Sequence, residues 1–264
     1  MTSTGEQTER CGSRSRSAHV VSAWCHSAWK RGLDVCGSAL LLTCLLPLMI
    51  VVAIGVKLTS PGPVLFRQRR PGKNGSEFDI LKFRTMVDGA TIPGPVLTRA
   101  ADPRVTWFGR HIRKWKLDEF PQLFNVLRGE MSFVGPRPQP TKLWKQRSIQ
   151  KEAACVLSVR PGITSQATLN FRNEEELLAP LTPEEVEEVY MTAIMPLKLK
   201  MDVDYLRNAS FGRDLRVILK TVFRIFNPQP EYNDVLIKEH LPHMARMESA
   251  VKKETASQSK GTAL

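Results

Sequence analysis

The stretch Leu33–Leu58, LDVCGSALLLTCLLPLMIVVAIGVKL, determines the fold class that the sequence predicts. Apart from Asp34 and a few small residues it is apolar almost throughout, and it exceeds the roughly 20 residues that a helix needs to cross a hydrocarbon core. It is also too long for the core of a signal peptide, and no small-residue cleavage site follows it. We therefore predict a helical segment that stays in the membrane.

Pro47 lies in the middle of this stretch, where a proline removes one backbone hydrogen bond and bends or breaks a helix. Both flanks are basic, so the preference of Lys and Arg for the cytoplasmic side favours the same side for both ends. These basic residues are Lys30, Arg31, Lys57, Arg67, Arg69, Arg70 and Lys73. We predict a re-entrant segment, helix-break-helix at Pro47, that enters one leaflet and returns. A straight span is the alternative.

The composition points to one domain with two tails. A net charge of +12 implies an anionic partner: nucleic acid, an anionic membrane face or a phosphorylated substrate. The 5 cysteines form no Cys-x-x-Cys pair, which indicates a reducing compartment and no metal site built on them. We expect a disordered basic tail over 1–28, a membrane-associated domain over 29–226 and a polar tail over 227–264.

Two kinds of local structure follow the membrane segment. Val64–Gln68 and Phe78–Phe83 flank the turn signal Lys73–Gly75 and predict a β-hairpin. The remainder is mostly helical, with a capping box at Thr182–Glu185. Ser210–Phe226 carries an apolar stripe opposite a basic face. Such a helix lies either in a membrane interface or on the protein's own core.

The stretch Arg113–Pro138, RKWKLDEFPQLFNVLRGEMSFVGPRP, encloses two adjacent acids, Asp118 and Glu119, between basic residues. Because adjacent carboxylates repel each other, this pattern favours a site for phosphate and metal, as in a phosphoryl-transfer centre. The alternative is that Asp118 caps a helix over Phe120–Leu127, and a cap and a catalytic group are compatible.

A series of motifs then carries a family resemblance. In one order, from about Lys30 to Phe226, the motifs closely resemble the bacterial sugar transferases, the monotopic phosphoglycosyl transferases. The motifs are FRQRRPGKNG from Phe66, LKFRTM from Leu81, DPR from Asp102, LDEFPQLFNVLRGEMS from Leu117, GPRP from Gly135 and RPGIT from Arg160. The resemblance implies an α+β, mainly helical fold with small sheet elements, resting on one leaflet of the membrane.

The resemblance also implies a reaction. A sugar-1-phosphate would pass from a UDP-sugar to undecaprenyl (polyprenyl) phosphate with release of UMP, initiating exopolysaccharide or envelope glycan synthesis. The enzyme would sit in the bacterial inner membrane with its catalytic part on the cytoplasmic face. By resemblance Asp118 would be the nucleophile, forming a phospho-sugar aspartyl intermediate, and Glu119 would help to hold Mg²⁺.

Further site residues come from the same resemblance. Arg113 and Arg137 match arginines that face phosphate, and Asp202 matches another acid of the site. Lys82 falls in a family motif, although a solvated strand edge is the alternative for it. Nucleic-acid binding is not supported by any zinc-finger, helix-turn-helix or ribonucleoprotein motif. An inactive membrane scaffold of the same fold stays the alternative function, and the sugar and the oligomeric state stay open.

Overall fold

The computed structural model describes residues 21–87, 102–141, 144, 150–172, 174–178 and 181–227. Of the tails predicted over 1–28 and 227–264, residues 1–20 and 228–264 lie outside these residues. Residues 21–28, which we expected in the disordered tail, form a 3₁₀ turn at Ala23–His26 and the start of the first helix. Ser22 Oγ donates to the Ala209 carbonyl at 2.8 Å, and Trp24 Nε1 donates to Asp214 at 2.9 Å. These bonds tie the segment to the domain, so the predicted boundary lies too late.

The apolar segment forms helix α1, Ala28–Thr59, with Ser27 as its N-cap. Among the described residues it is the one helix long and apolar enough to cross a membrane. The helix continues through Pro47, so the predicted break does not interrupt it. A proline deletes a single hydrogen bond, and apolar membrane helices tolerate that loss. The course of α1 relative to the bilayer stays a prediction.

Helix α1 has one buried face and one exposed face. The buried residues recur along both halves of the helix: Lys30, Asp34, Ser38, Met49, Val52 and Val56. Large apolar side chains cover the exposed face: Trp29, Leu33, Leu40, Leu41, Leu46, Leu48, Ile50, Val51, Ile54 and Leu58. In water such a surface would be costly, and in hydrocarbon it is favourable.

Both ends of α1 contact the same domain. Near its start, Asp34 Oδ1 accepts hydrogen bonds from Ser132 Oγ at 3.1 Å and from the Phe133 amide at 3.0 Å. Near its end, the buried residues of the second half pack with Phe83 and Ile112. Gly55 faces Phe108 so closely that a Cβ there would lie 2.4 Å from the ring. The membrane helix is therefore part of the domain's core.

The predicted hairpin is confirmed. Strand β1, Leu65–Pro71, pairs antiparallel with β2, Glu77–Phe83, in the register that places Leu65 opposite Phe83. The connecting 3₁₀ turn at Lys73–Gly75 has positive φ at Asn74 and Gly75 (56° and 75°), the left-handed conformation that these two residue types adopt most readily.

Helices make up most of the remainder. They are α2 Trp107–Lys114, α3 Gln122–Arg128, α4 Gln150–Val156, α5 Gln166–Asn170, α6 Glu174–Leu177, α7 Pro183–Val189, α8 Met195–Asn208 and α9 Phe211–Phe226. A π-helical turn, Tyr190–Ile194, joins α7 to α8, and the capping box at Thr182 and Glu185 is confirmed. A parallel pair that the sequence did not predict, β3 Ser132–Val134 with β4 Gly162–Thr164, lies beside the main core.

Helix α9 turns its apolar stripe outward. Only Val217 among its apolar residues is buried, while Asp214 and Arg224 face inward. The exposed apolar residues are Phe211, Leu215, Leu219, Val222, Phe223 and Phe226. The alternative in which this stripe packs on the protein's own core is therefore wrong for most of its length.

Candidate active site

The dyad sits on a 3₁₀ turn, Leu117–Glu119, between α2 and α3. Lys116 precedes the turn in the left-handed conformation, φ 56°, and reverses the chain after α2. Helix α3 begins only at Gln122, with Pro121 before it and no side-chain cap bond. Asp118 lies too far back to cap that helix, so the capping interpretation is wrong.

Two cations hold the Glu119 carboxylate. Lys82 Nζ lies 3.2 Å from Oε1, Arg137 Nη1 donates to Oε2 at 3.1 Å, and Arg137 Nη2 donates to Oε1. Burial alone would raise the pKa of Glu119, but the charges of Arg137 and Lys82 outweigh it and hold that pKa well below its usual range. Glu119 is thus a fixed anion.

Asp118 has the opposite environment. It is buried, 6% exposed, and its Oδ1 has no hydrogen-bond partner. Burial raises the pKa of Asp118, and the neighbouring Glu119 charge raises it further. Carboxylates held in different electrostatic states can take different chemical roles. The structure thus separates a paired acid from an acid with a free oxygen.

Arg137 is aimed by the parallel strand pair. It follows β3, and its Nη1 donates to the Ile163 carbonyl of β4 at 3.0 Å. The two backbones approach each other so closely at Gly135 and Gly162 that a Cβ on Gly162 would lie 2.2 Å from the Gly135 nitrogen. Only glycine fits there, and this close approach fixes the path of the backbone from β3 to Arg137.

Lys82 reaches the dyad from the hairpin. The Asn125 side chain of α3 accepts from the Leu81 amide at 3.0 Å and donates to the Asp79 carbonyl at 2.8 Å, which locks β2 against α3. The Lys82 ammonium then meets Glu119, so the solvated-edge alternative is wrong. Burial lowers the pKa of Lys82, and Glu119 partly restores it.

Arg113 lies at the end of α2, with its Nη2 3.3 Å from Glu175 Oε1. Its charge is among those that lower the pKa of Asp118 against the effect of burial. Glu175, which the sequence did not single out, lies in the same electrostatic neighbourhood, because its own raised pKa reflects burial and includes a contribution from Asp118. Arg113 is therefore close enough to the dyad for its charge to act on Asp118, and its contact with phosphate stays a prediction.

Asp202 is buried on α8 with no partner for Oδ1. Burial raises its pKa to about 7, although Lys198 and a hydrogen bond from Ser165 act in the other direction. Lys198 in turn pairs with Glu174 and contacts the Tyr190 hydroxyl at 3.3 Å. The structure thus brings Asp202 to the Lys198 cluster rather than to the dyad itself.

The donor set suits Mg²⁺ better than a metal that needs an all-protein cage. In the part of the chain that the structure describes, no three His, Cys, Asp or Glu side chains converge on one point. Mg²⁺ commonly takes one or two carboxylates and completes its shell with water and substrate phosphate oxygens. The unpartnered Oδ1 of Asp118 fits that pattern, whereas both Glu119 oxygens already have cationic partners.

The sequence interpretation missed the role of Arg70, which appeared there only as a basic flank. In β1 it lies on the opposite face from Arg69, and its charge acts on Arg137 and Tyr190. The two-residue alternation of a strand was the available signal, because it turns one of two adjacent arginines inward.

The fold combines a helix long and apolar enough to cross a membrane with a carboxylate dyad set among basic side chains. The sequence model of the bacterial sugar transferases matches residues 25–228, and the chain belongs to this family.

Several relatives have named activities. A UDP-glucose:undecaprenyl-phosphate glucose-1-phosphate transferase of Caulobacter vibrioides is 40% identical over 73% of this chain and 68% of its own length. An undecaprenyl-phosphate glucose phosphotransferase of Komagataeibacter xylinus is 39% identical over 74% of this chain and 35% of its own length. A UDP-N-acetylgalactosamine-undecaprenyl-phosphate N-acetylgalactosaminephosphotransferase of Aeromonas hydrophila is 34% identical over 73% of this chain and 42% of its own length. The chain thus spans between about a third and two thirds of the length of these relatives.

Proposed function

We propose that this chain transfers a sugar-1-phosphate from a UDP-sugar to undecaprenyl phosphate and releases UMP. The observation that carries the proposal is the buried Asp118 with a free carboxylate oxygen, set beside the fully paired Glu119. The names of the relatives supply the substrates, and they include both glucose and N-acetylgalactosamine. The sugar is therefore left to experiment.

Asp118 acts as the nucleophile in this proposal. Its Oδ1 attacks the sugar-bearing phosphorus, a new P–O bond forms, and the bond to the bridging oxygen breaks as UMP leaves. A phosphate oxygen of undecaprenyl phosphate then attacks the same phosphorus and breaks the bond to Asp118, which regenerates the carboxylate. Burial makes the ionised Asp118 poorly solvated and hence reactive, and the same burial raises its pKa.

The basic residues around the dyad bind the charged substrate. Arg113 and Arg137 are placed to meet phosphate oxygens, and Lys82 fixes Glu119 between itself and Arg137. Mg²⁺ held by Asp118, by Glu119 and by the substrate's own oxygens would neutralise the diphosphate charge that opposes an attacking carboxylate. Glu119 would have to share an oxygen that Lys82 or Arg137 now contacts. Asp202 is assigned to the wider site, through Lys198.

The membrane arrangement that we propose is re-entrant. A straight helix of this length would extend about 48 Å, yet the residues near Asp34 and those near Val56 both pack on one domain. Both ends of α1 then lie on one side, which we take as the cytoplasmic face of the inner membrane because the flanks are basic. The exposed apolar stripe of α9 lies in the same interface.

The activity test measures UMP release by the detergent-solubilised full chain from a panel of UDP-sugars, with Mg²⁺ and undecaprenyl phosphate each present or omitted. We expect release with a particular sugar that is abolished in Asp118→Asn and kept in Asp204→Asn, a matched acid whose side chain is 66% exposed. The intact mass after incubation without acceptor should increase by one phospho-sugar in the wild type and in Asp204→Asn, and should stay unchanged in Asp118→Asn. Folded protein that is silent across the panel would favour the inactive scaffold.

A further inference from the structure

Two adjacent arginines on β1 have opposite environments. Arg69 exposes 74% of its side chain and pairs with Glu77 at 3.4 Å and Asp79 at 3.7 Å on the hairpin surface. Arg70 points to the other face of the strand, toward Arg137 and Tyr190. Its Nη2 donates to Gln68 Oε1 at 2.5 Å.

The other donors of Arg70 have no acceptor. Nε and Nη1 are both buried and make no hydrogen bond. Burial lowers the pKa of Arg70 to about 10, and the like charge of Arg137 contributes, but the group stays protonated at neutral pH. Burying two guanidinium donors without an acceptor is unfavourable unless an anion joins them.

The charges around Arg70 show where an anion is missing. Arg137 has Glu119 as its counter-ion, whereas Gln68 supplies Arg70 with a neutral amide oxygen. Two guanidinium groups thus lie close enough to repel each other, and one of them has no carboxylate. Because Arg137 also holds Glu119, an anion bound between the two arginines would lie beside the dyad.

We propose that Arg70, together with Arg137, binds a phosphate group of a substrate. The identity of that substrate rests on the proposed function, and the phosphate belongs either to the UDP-sugar or to undecaprenyl phosphate. Arg70 would then stabilise the charge of the phosphate as it binds or leaves, through the donors that are unused in the free protein. These donors are closed to solvent, so the phosphate displaces the side chains that cover them as it enters.

The first experiment measures binding without catalysis. Pyrophosphate, UMP and inorganic phosphate are titrated separately into the wild type, Arg70→Ala, Arg70→Lys and Arg69→Ala, with calorimetry and thermal stabilisation as readouts. We expect Arg70→Ala to weaken pyrophosphate or UMP by roughly 10- to 100-fold, as for loss of a charge-assisted hydrogen bond. Arg69→Ala should change the affinity less than about 3-fold, since its ion pairs are exposed. Arg70→Lys should recover part of the affinity.

The second experiment distinguishes the two phosphates by kinetics. A rise in KM for the UDP-sugar, with the KM for undecaprenyl phosphate unchanged, assigns Arg70 to the nucleotide, and the reverse assigns it to the lipid. Equal affinities and equal kinetics in Arg70→Ala and Arg69→Ala overturn the inference, and leave the reaction standing. Arg70-dependent pyrophosphate binding without any turnover by the wild type would instead keep the phosphate site and refute the proposed reaction.

A purely structural role for Arg70 predicts a different result. Arg70→Ala would then lower the melting temperature while the affinity of the folded fraction for pyrophosphate stayed at the wild-type value. If Arg70→Ala does not fold, Arg70→Lys and Arg70→Gln carry the same comparison, because they preserve most of the side-chain volume.

Discussion

Arg137 donates hydrogen bonds to both carboxylate oxygens of Glu119, and this single contact makes the two adjacent acids of the dyad unequal. Glu119 is paired with cations, while Asp118 keeps a buried oxygen that accepts no hydrogen bond. Asp118 is desolvated by burial and lies next to the negative charge of Glu119, and both effects raise its pKa.

Asp118→Asn should abolish UMP release and at the same time stabilise the protein. The substitution removes a buried carboxylate that Glu119 repels, so we expect a gain of about 1 kcal/mol in the free energy of unfolding near pH 7. Thermal melts in detergent measure it. A clear loss of stability would mean that Asp118 makes a contact essential to the fold.

Glu119→Gln should reduce both stability and activity. Lys82 and Arg137 would lose their shared counter-ion, and breaking a buried ion pair costs about 3 kcal/mol. Because the pKa of Glu119 is lowered, its contribution is present above the unfolded pKa and is lost as pH falls through the folded one. The stability difference between wild type and variant should therefore shrink in acid, and a difference independent of pH would contradict the ion-pair explanation.

Asp202→Asn should flatten the dependence of stability on pH. The folded pKa is raised, so the folded protein binds more protons than the unfolded chain between about pH 4 and pH 7. Wild-type stability from this group then falls as pH rises through that window, by at most about 4 kcal/mol. Melting temperatures at pH 5 and pH 8 for both proteins test this, and parallel curves would remove Asp202 as the cause.

Gly162→Ala should misplace Arg137. The added Cβ would overlap the Gly135 backbone, and overpacking of this kind costs about 2 kcal/mol. We expect UMP release to fall more than 10-fold while the protein still folds. Gly212→Ala is the matched control, since a Cβ there meets nothing within 4 Å. Full activity in Gly162→Ala would show that the close approach of the Gly135 and Gly162 backbones does not orient the Arg137 side chain.

Asp34→Ala should loosen α1 from β3. The change removes the acceptor of the Phe133 amide and one of two acceptors of Ser132 Oγ, which keeps the Val134 carbonyl, and an unpaired buried donor costs about 1–3 kcal/mol. Thr43→Ala, which removes a bond confined to α1 itself, serves as the control. Limited proteolysis should detect the loosening, and identical digestion of both variants would contradict it.

Local patterns in the sequence were sufficient for the hairpin, the capping box at Thr182 and the membrane helix. They also named Asp118, Glu119, Arg113, Arg137 and Lys82, which the structure brings together. What escaped prediction depends on contacts between distant segments. Strands β3 and β4, which pair in parallel, are too short to show the two-residue period of a strand. The inward orientation of Arg70 depends on Tyr190, which lies 120 positions away in the sequence.

Helix α1 continues through Pro47 for a related reason. Local propensity predicts a break, but burial of Met49 and Val52 against the domain on the far side of the proline holds the helix together. The initial turn at Ala23–His26 was likewise misjudged, because the bonds of Ser22 to Ala209 and of Trp24 to Asp214 on α9 join segments far apart in the sequence.

The two-ended packing of α1 has a practical consequence for anyone who wishes to purify this protein. In many membrane enzymes the anchor can be cut off to give a soluble catalytic fragment. Here deletion of the anchor would expose Phe83 and Ile112 and leave the Phe133 amide without its acceptor. Solubility has to come from detergent or nanodiscs around the intact chain, because the anchor and the catalytic fragment are not separable pieces.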